Sequence, residues 1–175
     1  MIHTVLFSVD QINRKVAELA GAIDSKGYGS VVAVTVLNGA VIFSSDLVRA
    51  MDTDAELRFL TASSYVDGFT PGEEIVIDAD RQLGVEGRHV LIVEDIVDTG
   101  RTLLELGKII SAQNPLSVST VTLVDKTDRR DTGFTPTYAG FEITTELIYG
   151  YGMDWDERFR DLPYIAIAND QDTRT

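Results

Sequence analysis

Apolar positions recur along the chain in two periods, one typical of amphipathic helices and the other of buried strands. From 10 to 27 they return at every third or fourth residue, which predicts a helix that Asp10 caps and that Gly27 ends. Residues 31 to 37 form an almost continuous β-branched run. Such a run predicts a strand that is buried on both faces of a parallel sheet.

Strand and helix patterns then alternate through the middle of the chain. A helical spacing over 40 to 51 is followed by strand character over 57 to 65. A strand pattern at 89 to 95, a helical one at 102 to 113 and a strand pattern at 118 to 125 repeat the order. Repeated strand, helix, strand units predict an α/β protein with a mostly parallel, twisted sheet flanked by helices.

The remaining segments are shorter or more polar. The stretch 66 to 74 combines two glycines and a proline with polar residues, which predicts a flexible loop. Short strands are expected near 138 to 142, 147 to 150 and 164 to 168. The polar tail 169 to 175 is expected to be loose.

Length and composition narrow the class of protein. The 175 residues fit one domain, expected to span 1 to 175. No apolar run approaches the roughly 20 residues that cross a bilayer, and the first residues lack the pattern of a secretory signal. We therefore expect a cytoplasmic protein without membrane contact. The chain has no cysteine, which excludes disulfides, thiolate metal sites and thiol nucleophiles.

The charge balance bears on the choice of ligand. Fifteen Lys and Arg against 28 Asp and Glu give a net charge of −13 with histidine neutral. Such a chain repels a polyanion except at local basic clusters, so nucleic acid is not an expected partner. A small anion can still bind, because backbone amides at a helix N-terminus attract phosphate whatever the net charge.

The stretch from 90 to 103 joins an apolar strand to two acids and then to a turn that opens a helix. In open α/β sheets, ligands bind beyond the carboxyl ends of the strands, where Glu94 and Asp95 fall. Adjacent carboxylates can accept hydrogen bonds from the vicinal hydroxyls of a ribose. The turn offers backbone donors and two hydroxyls to a phosphate. It comprises Asp98, Thr99, Gly100, Arg101 and Thr102.

Each of these features also has a structural explanation. Asp98 or Thr99 can simply cap the helix, and acidic pairs follow strands in many α/β proteins. Gly100 permits close approach by a phosphate, as it would permit any tight turn. Taken together, the acids and the turn suit a ribose 5-phosphate.

The whole string from 90 to 103 resembles the phosphoribosyl pyrophosphate motif of type I phosphoribosyltransferases. Four more blocks are similar to the hypoxanthine-guanine branch of that family, and they cover most of the chain in order. They lie at 36 to 51, 61 to 65, 122 to 130 and 149 to 167. The resemblance implies the type I phosphoribosyltransferase fold, with a small hood and a flexible lid loop that starts at Ser64 and Tyr65.

The resemblance also implies how the sugar pyrophosphate is held. The turn of Leu37, Asn38 and Gly39 would bind pyrophosphate, with a cis peptide between the first two residues. Arg160 would hold the same group. Many members of the family carry lysine where Asn38 stands, which puts one cationic contact in doubt.

The same resemblance assigns the purine side of the site. Lys126 would bind O6 of the purine, which selects 6-oxopurines over adenine because a lysine ammonium only donates. Leu147 aligns with the aromatic platform of the family, and Ile148 would offer a backbone contact to the base edge. Asp154 would lie near the base and a second magnesium. Leucine in place of the aromatic residue departs from the family pattern.

The implied reaction displaces pyrophosphate from ribose by a purine nitrogen. Asp98 would take the proton from purine N7, with Lys126 stabilising charge on O6. Glu94 and Asp95 would stabilise the cationic sugar. Mg²⁺, held by Glu94, Asp95 and Asp154 directly or through water or substrate, would neutralise the leaving group.

We thus expect a phosphoribosyltransferase that converts hypoxanthine or guanine to IMP or GMP. A preference for xanthine stays open, as does a nucleotide-sensing regulator on the same fold. That regulator tends to carry aspartate in place of Glu94 and tyrosine in place of Asp98, and it needs a basic face. An unrelated nucleotide-binding protein would not explain the blocks at 61 to 65 and 122 to 130. Family resemblance suggests a homodimer or homotetramer.

Overall fold

The computed structural model describes residues 4–65, 74–77, 83–144 and 147–168. The predicted loop residues 66–73 and the predicted tail 169–175 lie outside this described part of the chain.

Alternating helices and strands make up the described chain, as the hydrophobic pattern predicted. The α-helices are α1 Val9–Asp24, α2 Val41–Ala50 and α3 Arg101–Ser111, and a 3-10 turn spans Thr127–Arg129. The strands of the larger sheet are β2 Ser30–Leu37, β3 Asp54–Tyr65, β4 Glu74–Ile77, β5 His89–Val97, β6 Ser117–Lys126 and β7 Tyr138–Ile143. The smaller sheet consists of β1 Thr4–Phe7, β8 Ile148–Tyr149 and β9 Ile165–Ile167.

The larger sheet has the strand order β4-β3-β2-β5-β6-β7. Its five long strands run parallel, and β4 pairs antiparallel with β3 at the edge. The predicted mostly parallel sheet is therefore confirmed, whereas β4 was not predicted. The smaller sheet has the order β1-β9-β8 and is antiparallel.

Helix α1 begins and ends differently from the sequence-based expectation. Its N-cap is Ser8, whose hydroxyl accepts from the Gln11 amide while the Gln11 side chain accepts from the Ser8 amide. This reciprocal capping box starts the helix one residue before Asp10. The helix ends at Asp24, three residues before Gly27. Its predicted apolar face is buried in full, at Ile12, Val16, Leu19, Ala20 and Ile23.

Two apolar clusters hold helices against the faces of the large sheet. Helices α1 and α2 pack on one face, where Phe43 and Leu47 are fully buried. Helix α3 covers the other face through Leu103, Leu106 and Ile110. Each such side chain stabilises the fold by roughly 1.5 to 3 kcal/mol through burial. With both faces covered, the polar ends of the strands are the places left for a ligand.

None of the described helices is both long and apolar enough to cross a membrane.

Candidate active site

The ends of three neighbouring strands bring the predicted site residues to one edge of the sheet. Strand β5 lies between β2 and β6, and all three are parallel. The Leu37–Gly39 turn follows β2, the two acids lie near the end of β5, and Lys126 ends β6. Residues nearly 90 positions apart in sequence thereby share one carboxyl edge, as expected for an open α/β sheet.

Glu94 and Asp95 are buried near the end of β5. Burial raises the pKa of Glu94 well above its ordinary value, and the charge of neighbouring Asp95 adds to the rise. Burial also raises the pKa of Asp95, although hydrogen bonds and the charge of Arg160 oppose it. Within the described part of the chain, no ion pair joins either carboxylate to a cation. Two desolvated carboxylates without a cation favour a ligand that brings hydroxyl donors or positive charge.

The turn after β2 lies directly against this acid pair. The peptide between Leu37 and Asn38 is cis, which confirms that expectation. A methyl group on Gly39 would lie 1.9 Å from Oδ2 of Asp95, so only glycine fits here. The Leu37–Gly39 turn is therefore in contact with Asp95, one of the two acids that were predicted to bind the ribose.

The turn between β5 and α3 has an uncapped helix N-terminus. Gly100 is the N-cap residue, with φ of 84°, and no side chain caps α3. The Arg101 amide donates to the Thr99 hydroxyl at 3.4 Å, and the N-terminus of a helix can bind an anion through its first amides. A pocket of about 110 Å³ lies here. It is lined by Glu94, Ile96, Val97, Asp98, Thr99, Gly100, Thr102 and Leu103.

Two ion pairs connect this turn to the segment that begins at the last residue of the 3-10 turn. We name residues 129–132 the clamp segment. Nε of Arg129 lies 2.8 Å from Oδ1 of Asp98, and a guanidinium nitrogen of Arg101 lies 2.5 Å from Oδ2 of Asp131. Each pair joins one residue of the turn to one residue of the clamp segment.

The clamp segment also explains the glycine of the turn. Thr132 donates from its hydroxyl to the Thr99 carbonyl at 2.9 Å. A methyl group on Gly100 would lie 2.8 Å from both a guanidinium nitrogen of Arg130 and the Thr132 hydroxyl. Arg130 is itself held by a largely buried ion pair with Asp125. Packing against the clamp segment therefore requires glycine at position 100, a reason that the sequence pattern did not reveal.

Lys126 has only 7% of its surface exposed. The Lys126 side chain makes no hydrogen bond or ion pair with any residue that the structure describes, and neighbouring Asp125 is paired with Arg130. A charged side chain in such a largely buried setting is costly without a partner. An acceptor on a ligand would therefore stabilise this side chain.

The other residues predicted to lie near the purine base differ in exposure and in their contacts. Leu147 is exposed and Ile148 is buried in the small sheet. Asp154 accepts from the Glu157 amide and lies 2.9 Å from Arg160. The described residues contain no cluster of three or more metal-binding side chains, so Asp154 does not complete a direct metal site with the acid pair.

The phosphoribosyl transferase domain model matches residues 8–157. The chain belongs to the phosphoribosyltransferase family. A curated phosphoribosyltransferase, the hypoxanthine phosphoribosyltransferase of Haemophilus influenzae, is 38% identical over 93% of each chain. A crystal structure of a hypoxanthine-guanine phosphoribosyltransferase from Bacillus anthracis covers 97% of this chain and 100% of its own, with a TM-score of 0.90 and 35% identity.

Another relative is a longer protein. The bifunctional protein TilS/HprT of Listeria innocua is 41% identical over 95% of this chain. The chain spans only about a quarter of that protein, 26% of its length.

Several contacts in this phosphoribosyltransferase site were not predicted. Arg130 and Arg129 fall inside the block 122 to 130, which resembled the family, but their partners lie 5 and 31 residues away in sequence. Tyr151 donates to Asp46 at 2.6 Å and thereby connects the hairpin after β8 to α2. The described backbone continues to Ser64 and Tyr65 at the end of β3, whereas their side chains and the predicted lid after them lie outside the described residues.

Proposed function

We propose that this phosphoribosyltransferase transfers the 5-phosphoribosyl group of phosphoribosyl pyrophosphate to hypoxanthine or guanine, in cytoplasmic purine salvage. The observation that carries the proposal is one continuous pocket from the buried acid Glu94 to the uncapped N-terminus of α3. Carboxylates at one end and amides at the other suit the hydroxyls and the phosphate of one ribose 5-phosphate. Relatives that match along their whole length carry hypoxanthine or hypoxanthine-guanine in their names.

One group of residues binds the ribose, and a second group binds the 5-phosphate. Glu94 and Asp95 accept from the ribose hydroxyls and stabilise positive charge on the sugar as pyrophosphate departs. The turn binds the 5-phosphate through its amides and hydroxyls, with Arg101 adding charge. Its binding residues are Asp98, Thr99, Gly100, Arg101 and Thr102.

Pyrophosphate binds at the other side of the acid pair. The turn of Leu37, Asn38 and Gly39 offers it backbone groups, and Arg160 offers a cation. In the free protein Arg160 donates to the Gly152 carbonyl and pairs with Asp154. Pyrophosphate therefore competes with Asp154 for the charge of Arg160.

The residues present fit a Mg²⁺ ion that the protein and the substrate would bind together. Two buried carboxylates supply hard oxygen ligands, and Mg²⁺ ordinarily combines one or two carboxylates with water and substrate phosphate. When bound, Mg²⁺ neutralises the charge of the leaving pyrophosphate. Glu94 and Asp95 are the residues that hold it, and Asp154 contributes through water or substrate.

Proton transfer and base recognition are assigned to the ends of β5 and β6. Asp98 accepts the proton of purine N7, and Lys126 donates to O6, which gives the ammonium of this largely buried side chain an acceptor. Leu147 covers a face of the purine, and the backbone at Ile148 contacts the base edge. The lid that begins at Ser64 and Tyr65 excludes water from the cationic sugar.

Initial rates test the proposal. The enzyme is assayed with phosphoribosyl pyrophosphate and Mg²⁺ against hypoxanthine, guanine, xanthine, adenine and uracil. We expect turnover of 6-oxopurines alone, and a loss of about 100-fold or more in kcat for Asp98→Asn. Asp128→Asn, an exposed acid two residues after Lys126, is the matched control and should keep wild-type rates.

Each contrary result has a defined meaning. Turnover of xanthine in preference to hypoxanthine and guanine would correct the substrate. Binding of the sugar pyrophosphate without turnover of any base would overturn the enzymatic proposal in favour of a regulator. The homodimer or homotetramer remains a prediction that sedimentation tests separately.

A further inference from the structure

The Asp98 carboxylate is held on one side only. Its Oδ1 atom is buried and lies 2.8 Å from Nε of Arg129, in an ion pair that lacks the alignment of a hydrogen bond, whereas 42% of the whole side chain is exposed. The exposed part therefore lies on the other atoms. Asp98 also lines the pocket at the turn, so Oδ2 is the oxygen that a ligand there can reach.

Arg129 is placed to fix that orientation because of where it lies in the chain. It ends the 3-10 turn Thr127–Arg129, which begins immediately after Lys126. One short segment thus carries both the lysine predicted to bind the purine and the arginine that contacts Asp98. A shift of this segment would move both groups relative to a bound base.

A second ion pair provides an internal comparison. Arg101 and Asp131 join the same turn to the same clamp segment, with 47% and 39% of their side chains exposed. Asp98 and Arg129 have 42% and 54% exposed. The two pairs are thus alike in exposure and in the segments they connect. They differ in one respect. The turn residue of one pair, Asp98, is the proposed proton acceptor, whereas the turn residue of the other pair, Arg101, is not.

We propose that Arg129 is a positioning residue that holds Oδ1 of Asp98 so that Oδ2 faces purine N7. The proposal rests on the proposed function, in which Asp98 accepts that proton. An unrestrained aspartate can rotate about two side-chain bonds, and a misplaced catalytic group loses rate even when binding is intact. Arg129 acts through Asp98 and touches neither substrate in this role.

Steady-state kinetics of three variants test it. Arg129→Gln should lower kcat with hypoxanthine about 10-fold while leaving the KM for phosphoribosyl pyrophosphate within about 2-fold. Arg129→Lys keeps the positive charge and should recover kcat to within about 3-fold of wild type. Asp131→Asn removes the comparison pair and should leave kcat unchanged, with any effect confined to the KM for phosphoribosyl pyrophosphate. Thermal midpoints of all three should stay within about 3 °C of wild type, since these pairs are half exposed.

The double variant Asp98→Asn with Arg129→Gln separates this proposal from the proposed function. If Arg129 acts only through Asp98, the double variant should be no slower than Asp98→Asn alone. A slow Asp98→Asn beside a wild-type Arg129→Gln would overturn the role of Arg129 and leave the proposed function intact. A wild-type rate for Asp98→Asn would instead remove Asp98 as the proton acceptor. Equal losses in Arg129→Gln and Asp131→Asn would reduce the arginine to general support of the turn.

Discussion

Two groups of charged residues flank the candidate site, and they differ in whether a cation is paired with their carboxylates. Glu94 and Asp95 are buried near the end of β5, with no cation paired to them among the described residues. In the hairpin after β8, Asp154 and Glu157 both contact the cation Arg160. Within the described residues, the first group has no paired cation, and the second contains one.

The difference shows which part of the site is prepared before a ligand arrives. The acid pair remains desolvated, as the raised pKa values of both carboxyls indicate. Its electrostatic cost is relieved only by a ligand or an ion. In the hairpin Arg160 already contacts two carboxylates, so an anion that binds it competes with them. We infer that the proposed sugar and metal side is preorganised and that Arg160, the residue proposed to bind pyrophosphate, is recruited on binding.

The largest effect should come from Gly39→Ala. The new methyl group would lie 1.9 Å from Oδ2 of Asp95, which forces either the turn or the acid to move. We expect kcat/KM to fall by about 100-fold or more, because a displacement near 1 Å has effects of this size. Steady-state kinetics with hypoxanthine measures it.

Gly107→Ala is the matched control for that substitution. Gly107 lies within α3, and an added Cβ there would meet nothing within 4 Å. The change should leave kinetics unaltered and stabilise the helix by about 0.5 to 1 kcal/mol. Wild-type kinetics for Gly39→Ala would show that the acid pair does not depend on its contact with the turn.

An intermediate effect is expected on stability against pH. A carboxyl whose pKa is higher in the folded chain stabilises the fold fully below its unfolded pKa, and this contribution is lost as pH rises through the folded value. Wild type should therefore lose stability from Glu94 as pH rises above about 4. Glu94→Gln does not titrate, so its thermal midpoint should exceed that of wild type by about 3 to 6 °C at pH 8 and match it near pH 4.

The exposed residue Glu86 supplies the control for this measurement. Glu86→Gln should follow wild type within about 1 °C at every pH. A Glu94→Gln midpoint that stays level with wild type from pH 4 to pH 8 would contradict the description of the acid pair as an electrostatic cost.

The smallest effect concerns the hairpin after β8. Glu157→Gln removes an exposed partner of Arg160 at 3.2 Å, and such pairs contribute about 0.2 to 1 kcal/mol. If Arg160 is recruited to pyrophosphate, the KM for pyrophosphate in the reverse reaction should fall about 2-fold. Glu105→Gln, which breaks a similar exposed pair with Lys108 on α3, should leave that KM unchanged. A raised KM in Glu157→Gln would mean that Glu157 helps to position Arg160.

The main sheet was predictable because its strands are long and buried on both faces. The β-branched run in β2 and the apolar run before Glu94 are nearly continuous and do not alternate with polar residues. This pattern is typical of strands that are buried on both faces of a parallel sheet. β4 was not predicted, since it is a four-residue edge strand whose pairing with β3 depends on tertiary contact. The start of α1 was misplaced because Ser8 and Asp10 are both good capping residues, and only the Gln11 side chain decides between them.

The candidate site also has a part that could be predicted from the sequence and a part that could not. The acid pair and the turn before α3 were predictable because they are contiguous and follow a strand, which fixes their place in an α/β sheet. Contacts across the chain gave no local signal. The ion pair of Arg129 with Asp98, and the closeness of Arg130 to Gly100, depend on how the segment after β6 folds back on the turn. The roles assigned to Lys126, Leu147 and Arg160 came from family resemblance and stay predictions.

The glycines of the site have one further consequence. An added methyl group on Gly152 would lie 2.1 Å from the Gly39 carbonyl oxygen, just as one on Gly39 would meet Asp95. The backbone of the hairpin at Gly152 therefore contacts the backbone of the Leu37–Gly39 turn. That turn contacts the side chain of Asp95. The width of the cleft at this point is set by backbone atoms in contact. Side chains around it, such as Asn38 and Leu147, can therefore change in evolution without altering the separation of these backbone segments.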